Sequence, residues 1–225
     1  INWFDDDDIM HPKKLELQIA PFLENENIDL SLCRYIRYFP GDELEKKEDS
    51  KGSNIDTKNL AVDFLYNSIQ INSAVPLLKS YLVQEEKFDE NLEYAEERDF
   101  FLRVFFRYKP KWTSVNEILF YYRYHSNSIT RRDNRIEEKL ASNVYVHKKI
   151  WDFLSERDCL DQKTVAFFLR QFMLQNHDKY YIEKIYNFTF RKNHIGVFGK
   201  YKFRTLIILH KIFKKVFHRL LLLKI

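Results

Sequence analysis

The stretch Ile1-Asn2-Trp3-Phe4-Asp5-Asp6-Asp7-Asp8-Ile9-Met10-His11-Pro12 breaks from an apolar run into four consecutive carboxylates, then into a proline-led helical pattern. Phe4 reads as the last buried position of a strand, which puts the acidic run at that strand's carboxyl end. Ligands of open α/β sheets gather at this edge. Asp5 and Asp7 alternate along an extended chain and so face one point in space. Hard divalent cations take oxygen ligands, commonly one or two protein carboxylates together with substrate phosphates. The plain alternative is a solvated acidic turn, and the rest of the chain has to decide between them.

Working outward, Pro12 suits the first turn of a helix. Leu15, Ile19, Phe22 and Leu23 supply an apolar face at helical spacing, with a bend or an end near Pro21. Ile28 to Cys33 alternates as a strand that extends toward Tyr38, and Pro40 to Lys58 has little to bury and reads as a surface loop. Asn59 to Tyr66 is a short helix, and Pro76 marks an edge or a strand start. Ala95 to Phe106 has the period and acidic first turn of a helix, and Trp112 to Tyr124 is rich in β-formers. Beyond Ser128 the pattern is helical, near 134–156, 161–176, 178–188 and Phe203 to Leu223. Strands mixed with helices, then helices alone, predict an α/β core over 1–130 and a helical appendage over 131–225.

Composition narrows the function classes. The chain of 225 residues is 45% hydrophobic and 16% aromatic, enough for a sizeable core. Only four glycines occur, and neither G-x-G-x-x-G nor G-x-x-x-x-G-K-[ST] is present, which argues against a Gly-rich phosphate loop. Cys33 and Cys159 form no framework and read as reduced thiols of a cytosolic protein. The net charge of +4 is polarised, with no Asp or Glu from Arg191 onward. Leu206, Leu209, Phe213, Val216 and Leu220 recur opposite Lys211, Lys214, Lys215 and His218. Such a basic amphipathic helix suits an anionic membrane surface or docks its stripe on the core. Nucleic acid is not indicated, because no aromatic platform or recognised fold accompanies the charge. The chain opens with Ile inside an apolar run, so the expectation is the C-terminal part of something longer.

Four short motifs occur in order: Asp5-x-Asp7-Asp8, Phe88-Asp89-Glu90, Glu96-Glu97 followed by Leu102-Arg103, and Tyr121-Tyr122-Arg123-Tyr124-His125. Each has a modest reading of its own. Glu96 and Glu97 favour a helix N-terminus through the dipole, Arg103 suits an ion pair, Tyr121 and Tyr122 suit the core, and His125 suits a strand end. Together, from Ile1 to Thr130, they resemble the C-terminal half of a family 2 glycosyltransferase of the GT-A fold, a Rossmann-like mixed sheet. The N-terminal nucleotide-binding half of that family has no counterpart in the sequence.

The resemblance implies an inverting transfer that depends on a divalent metal, Mn or Mg. Asp7 would touch the metal, and Asp5 would hold the nucleotide ribose or the metal shell. His125 would complete the metal and diphosphate environment. Glu97 would be the base that activates the acceptor, with Glu96 beside it, where relatives commonly carry Asp at the base position. Ile71 to Val75, including Ser73, would approach the sugars. The implied partners are a nucleotide-sugar donor and a glycan or lipid-linked acceptor in cell-surface polysaccharide synthesis, on the cytoplasmic face of the membrane. The rival readings are a non-enzymatic membrane-surface module whose acidic loop binds a cation such as Ca²⁺, and an inactive remnant of the enzyme.

Overall fold

A computed structural model describes residues 1–42, 52–124, 135–175 and 178–191. The chain forms two compact units, Ile1–Lys139 and Leu140–Ile225. The architecture is mixed α/β.

The first unit is built on two long strands, β2 (Leu30–Tyr38) and β4 (Trp112–Arg123), paired in parallel. Leu30, Leu32 and Cys33 are fully buried, as expected of a strand covered on both faces. Two short strands flank the pair. β1 (Ile9–Met10) runs antiparallel to β4, and β3 (Leu77–Leu78) antiparallel to β2, giving the order β1-β4-β2-β3. Pro76 immediately precedes β3 at the sheet edge, where its missing N–H leaves no gap in the ladder.

Parallel pairing requires a crossover, supplied by α2 (Leu60–Leu65), α3 (Tyr81–Gln84) and α4 (Glu96–Tyr108). Phe100, Phe101, Leu102, Val104 and Phe105 of α4 are buried. Trp3 inserts edge-on among Phe88, Phe100 and Phe101 at centroid distances of 5.5, 5.4 and 6.2 Å, and Phe88 stacks on Phe100 at 4.3 Å. This cluster fixes the chain two residues before Asp5. Arg103 pairs with Asp99 (2.9 Å) and Glu86, and it also donates to the Lys87 carbonyl (2.7 Å) just ahead of Phe88.

Two expectations are corrected. Phe4 does not end a strand: Ile1 to Asp5 is irregular chain, tied beside β3 by the Leu78 N–H donating to the Ile1 carbonyl (2.9 Å). The helix after Pro12, α1 (Lys14–Glu24), continues through Pro21 and buries Lys14 and Gln18. Leu15, Ile19 and Leu23 are 44%, 42% and 82% exposed. The reason is hydrogen bonding. Gln18 Nε2 donates to the Ser31 and Val75 carbonyls (2.8 and 2.9 Å), and Lys14 donates to Gln18 Oε1. Buried carbonyls need donors, and that need turns the polar stripe inward.

The β2–β4 register slips on both sides of Arg34, so twelve residues of β4 face nine of β2. Arg34 fills the irregularity, donating to Asn116, to the Ser53 carbonyl (2.7 Å) and to both Asp56 oxygens (2.9 Å). Gly52 lies against it.

The second unit is helical. It holds α5 (Ile136–Glu156) from Leu140 on, α6 (Gln162–Gln175) and α7 (Lys179–Arg191). Trp151, Phe168, Phe172 and Ile185 form its core, and the Asp152 carboxylate accepts from Tyr181 (2.8 Å) and Lys184 (2.7 Å). Among the described residues, no helix is long and apolar enough to cross a membrane. The stripe from Leu206 to Leu220 lies outside the described residues.

Gly52 has φ +38°, and a Cβ there would stand 3.1 Å from both Arg34 Cβ and Ile118 Cγ1. Gly52→Ala should therefore destabilise the first unit by about 2 kcal/mol from strain and overpacking. A urea titration should show a lower midpoint with unchanged slope.

Candidate functional site

The two ends of the argument, the acidic run and the start of α4, meet in one cleft of about 760 Å³. Its lining includes Asp5, Asp7, Glu96, Glu97, Arg98 and Arg123, with Tyr35 and Tyr122 rising from the sheet. The size is that of a small-molecule pocket.

The acidic run reaches the cleft as a turn and not as an extended strand end, with the Asp8 N–H directed to the Asp5 carbonyl (3.4 Å). Trp3 anchors it on one side and β4 on the other. The Arg123 N–H donates to Asp8 (2.8 Å), the Arg123 side chain donates to Tyr38 Oη (2.8 Å), and His11 N–H donates to the Leu119 carbonyl (3.0 Å). A turn brings Asp5 and Asp7 to the same cavity by curvature, where strand alternation had been expected to do so.

Glu97 stands in the first turn of α4, whose cap residue Ala95 is left-handed (φ 60°) and makes no side-chain cap. Its Oε1 accepts the Ser73 N–H at 2.9 Å. Burial pushes the Glu97 carboxyl up, two hydrogen bonds from Ser73 hold it down in part, and Glu96 and Asp5 push it up again. A carboxylate raised in this way is suited to taking a proton near neutral pH.

The segment that supplies Ser73 is stitched in place. Asn2 Nδ2 donates to the Ala74 and Pro76 carbonyls (3.1 and 2.9 Å), and the Val75 carbonyl receives Gln18 and the Cys33 thiol (2.9 and 3.4 Å). Asn2 and Gln18 are supporting residues that the sequence did not reveal. Gln18 falls at a position the apolar period assigned to solvent, and Asn2 falls within the opening apolar run.

Asp5 and Asp8 of the acidic run share one electrostatic condition. Burial raises Asp5 first, with Asp7 and Asp6 adding repulsion. Asp8 rises to about 6, chiefly from burial, with the Arg123 N–H opposing and Asp7 and Asp5 reinforcing. Among the described residues no group of three or more His, Cys, Asp or Glu stands in metal-binding geometry. Asp5 and Asp7 nonetheless offer hard oxygen donors on one turn under mutual repulsion. That set fits a cation which takes its other ligands from phosphate and water.

His125, expected as the third ligand, lies outside the described residues. Tyr121 is in the core at 4% exposure, whereas Tyr122, also expected there, lines the cleft together with Tyr35, which was not anticipated. Tyr35 stacks on Phe120 (5.0 Å) and meets Tyr122 edge-on (6.3 Å), immediately after the register slip. Bulges re-aim side chains in this way. Arg123, from the fourth motif, completes the wall together with Arg98 and Asn67, and no spacing in the sequence marks the last two.

The chain matches no protein-family model and no curated protein.

Asp8 supplies a test of the electrostatics. Its folded pKa of about 6 exceeds the ordinary carboxyl value of 3.8, so between these values the folded state binds the extra proton. Asp8 therefore supports stability below about pH 4, and that contribution is lost as the pH rises through 6. Without divalent cations, Asp8→Asn should leave the melting temperature near wild type at pH 4 and raise it at pH 7. Scanning calorimetry across that range checks it, and an equal effect at both pH values would contradict the assignment.

Proposed function

We propose that the first unit is a glycosyltransferase catalytic region of the GT-A kind, moving a sugar from a nucleotide donor to a glycan or lipid-linked acceptor with inversion. The observation that carries the reading is the meeting of Asp5 and Asp7 with Glu96 and Glu97 around one cleft. The two carboxylate groups are some ninety residues apart in the chain, and each has the role this chemistry needs. The ordered motifs of the sequence support the same assignment.

Asp7 and Asp5, with His125, would hold a magnesium or manganese ion, whose charge offsets the negative charge left on the departing nucleoside diphosphate. Glu97 takes the proton of the acceptor hydroxyl as it attacks the anomeric carbon. The Ser73 N–H holds the Glu97 carboxylate in place. Glu96 sits beside it and strengthens its basicity by repulsion. The sugar enters against Tyr35 and Tyr122, with Ile71 on the same cleft wall.

Mutation of the full chain separates these roles. Asp7→Asn should lower donor affinity and turnover together. Glu97→Gln should leave donor affinity within about twofold and lower turnover on the order of 10²–10⁴-fold, as loss of a general base does. Glu97→Asp restores the residue common in the family but withdraws the carboxylate by one methylene from the Ser73 N–H. An intermediate loss is expected. Near-normal turnover in Glu97→Gln would transfer the role of base to Glu96, and indifference to both changes would end the transferase reading.

We place this reaction at the cytoplasmic membrane face. Support comes from the uninterrupted basic character of the sequence after Arg191, and from the lipid-linked acceptors that such transferases use. Binding of the full chain to anionic vesicles should weaken as salt rises from 0.05 to about 0.5 M, since the Debye length shrinks well below 10 Å. Binding that ignores salt would remove this placement. Calcium binding with no sugar transfer would favour the non-enzymatic alternative.

A further inference from the structure

The cleft wall holds a cation whose hydrogen-bond partners are all neutral. Arg98 donates to the Leu65 carbonyl at 2.7 Å and to the Asn67 side chain, and its guanidinium lies 5.9 Å from the centre of the Phe64 ring. Its Nε is buried without a partner. Other arginines of this unit behave differently: Arg103 pairs with Asp99 and Glu86, Arg34 pairs with Asp56, and Arg123, which donates to Tyr38 Oη, feels the charges of Asp7 and Asp8. No described carboxylate pairs with Arg98, and burial alone pushes it down, to about 10. Glu96 and Glu97 adjoin it on α4, yet Glu97 is committed to Ser73 and neither offsets the guanidinium charge.

Buried charges are ordinarily paired, because desolvation is costly and only an opposite charge returns it. A structural clamp between α2 and α4 needs donors for one carbonyl and one amide oxygen, and a neutral amide would supply them. A guanidinium carries five N–H groups, of which the hydrogen bonds given above engage only a part. The remainder belong to a residue that lines an open cleft. The backbone on either side is held in the left-handed region at Asn67 (φ 58°) and Ala95 (φ 60°). Strain of this kind persists where surrounding structure imposes it, often at ligand sites. The start of α4, thirteen residues long and without a side-chain cap, adds N–H groups and a positive dipole end to the same wall.

We propose that Arg98 binds a compact oxyanion, a phosphate or a carboxylate, carried by the molecule that fills the cleft. The planar fork of N–H groups matches that geometry better than it matches a neutral carbonyl. Two sources share this chemistry: the diphosphate of a nucleotide donor, or an acidic group on the acceptor sugar. Arg98 follows Glu97 directly, so if Glu97 is the acceptor's base, the anion belongs to the acceptor, an acidic or phosphorylated sugar. That last step rests on the transferase reading, whereas the anion site itself does not.

The test uses the full chain in EDTA, so that no divalent cation can recruit the anion through Asp5 and Asp7. The probes are glucuronate, glucose 6-phosphate, inorganic pyrophosphate and uncharged glucose, followed by calorimetry and by the Arg98 Nε–H resonance. Glucuronate or glucose 6-phosphate should bind at least about tenfold more tightly than glucose, the scale of one charge-assisted hydrogen bond. Affinity should fall with salt, and the Nε–H signal should move in the wild-type chain. Arg98→Gln keeps donors for Leu65 and Asn67 and should lose that preference with little change in melting temperature. Preference for pyrophosphate over both sugar acids would support the site and assign its anion to the donor. An unmoved Nε–H resonance, or unchanged anion binding in Arg98→Gln, would overturn the proposal. The resonance needs no variant, so a misfolded Arg98→Gln does not spare it. Sugar transfer is not read in this experiment, so a chain that binds these anions yet transfers no sugar would refute the transferase reading alone.

Discussion

The parallel pairing of β2 with β4 is the constraint on which the first unit rests. β1 and β3 have two residues each and cannot hold a sheet by themselves. They exist because the long pair offers them an edge. The pairing also obliges the chain to travel from one end of the sheet to the other before β4 begins, and that journey contains α2, α3 and α4. The start of α4 thereby comes back to the sheet beside the N-terminal turn. The site is thus a by-product of topology, with walls drawn from the N-terminal turn, from β2 and β4, and from the crossover between them.

Placement inside the cleft depends on a second layer of contacts, which are polar and buried. The Ser73 N–H is useful to Glu97 only if the chain from Asn72 to Pro76 does not move, and that chain makes no regular secondary structure before β3. Side-chain donors from Asn2, Gln18 and Cys33 hold its carbonyls from three separate elements. Each such bond contributes roughly 0.5–1.5 kcal/mol net, a modest sum. Their greater effect is on geometry, because an unsatisfied buried carbonyl would cost more than any one of them gains.

Much of this order was legible in the sequence. α4 and β4 follow their periods closely, since α4 buries five apolar residues between Phe100 and Phe105 and β4 is dense in branched and aromatic side chains. The helices of the second unit follow theirs for the same reason. The grouping of Asp5 and Asp7 with Glu97 was suggested by the ordered motifs, not by any local pattern. The failures have one cause. Leu15, Ile19 and Leu23 were assigned inward because hydrophobicity is a one-residue property, but the orientation of α1 is decided by carbonyls on β2 and near Val75. Tyr35 and Tyr122 face the cleft because the register slips at Arg34. A strand pattern read alone has no access to a slip caused by its neighbour. Arg98 is invisible for a related reason, since its unusual condition is that none of the acids crowding it in sequence, Glu96, Glu97 and Asp99, forms an ion pair with it.

The two thiols give each unit its own chemical clock. Cys33 lies on β2 beneath α1, fully buried, and its thiol is pushed up to about 12 by burial, so it is inert as a nucleophile while the sheet is closed. Cys159 is exposed between α5 and α6. A thiol reagent added to the native chain therefore modifies the second unit first, and modifies the first only during moments when α1 lifts from the sheet. The ratio of the two labelling rates measures the opening equilibrium of the sheet against an internal standard within the same molecule.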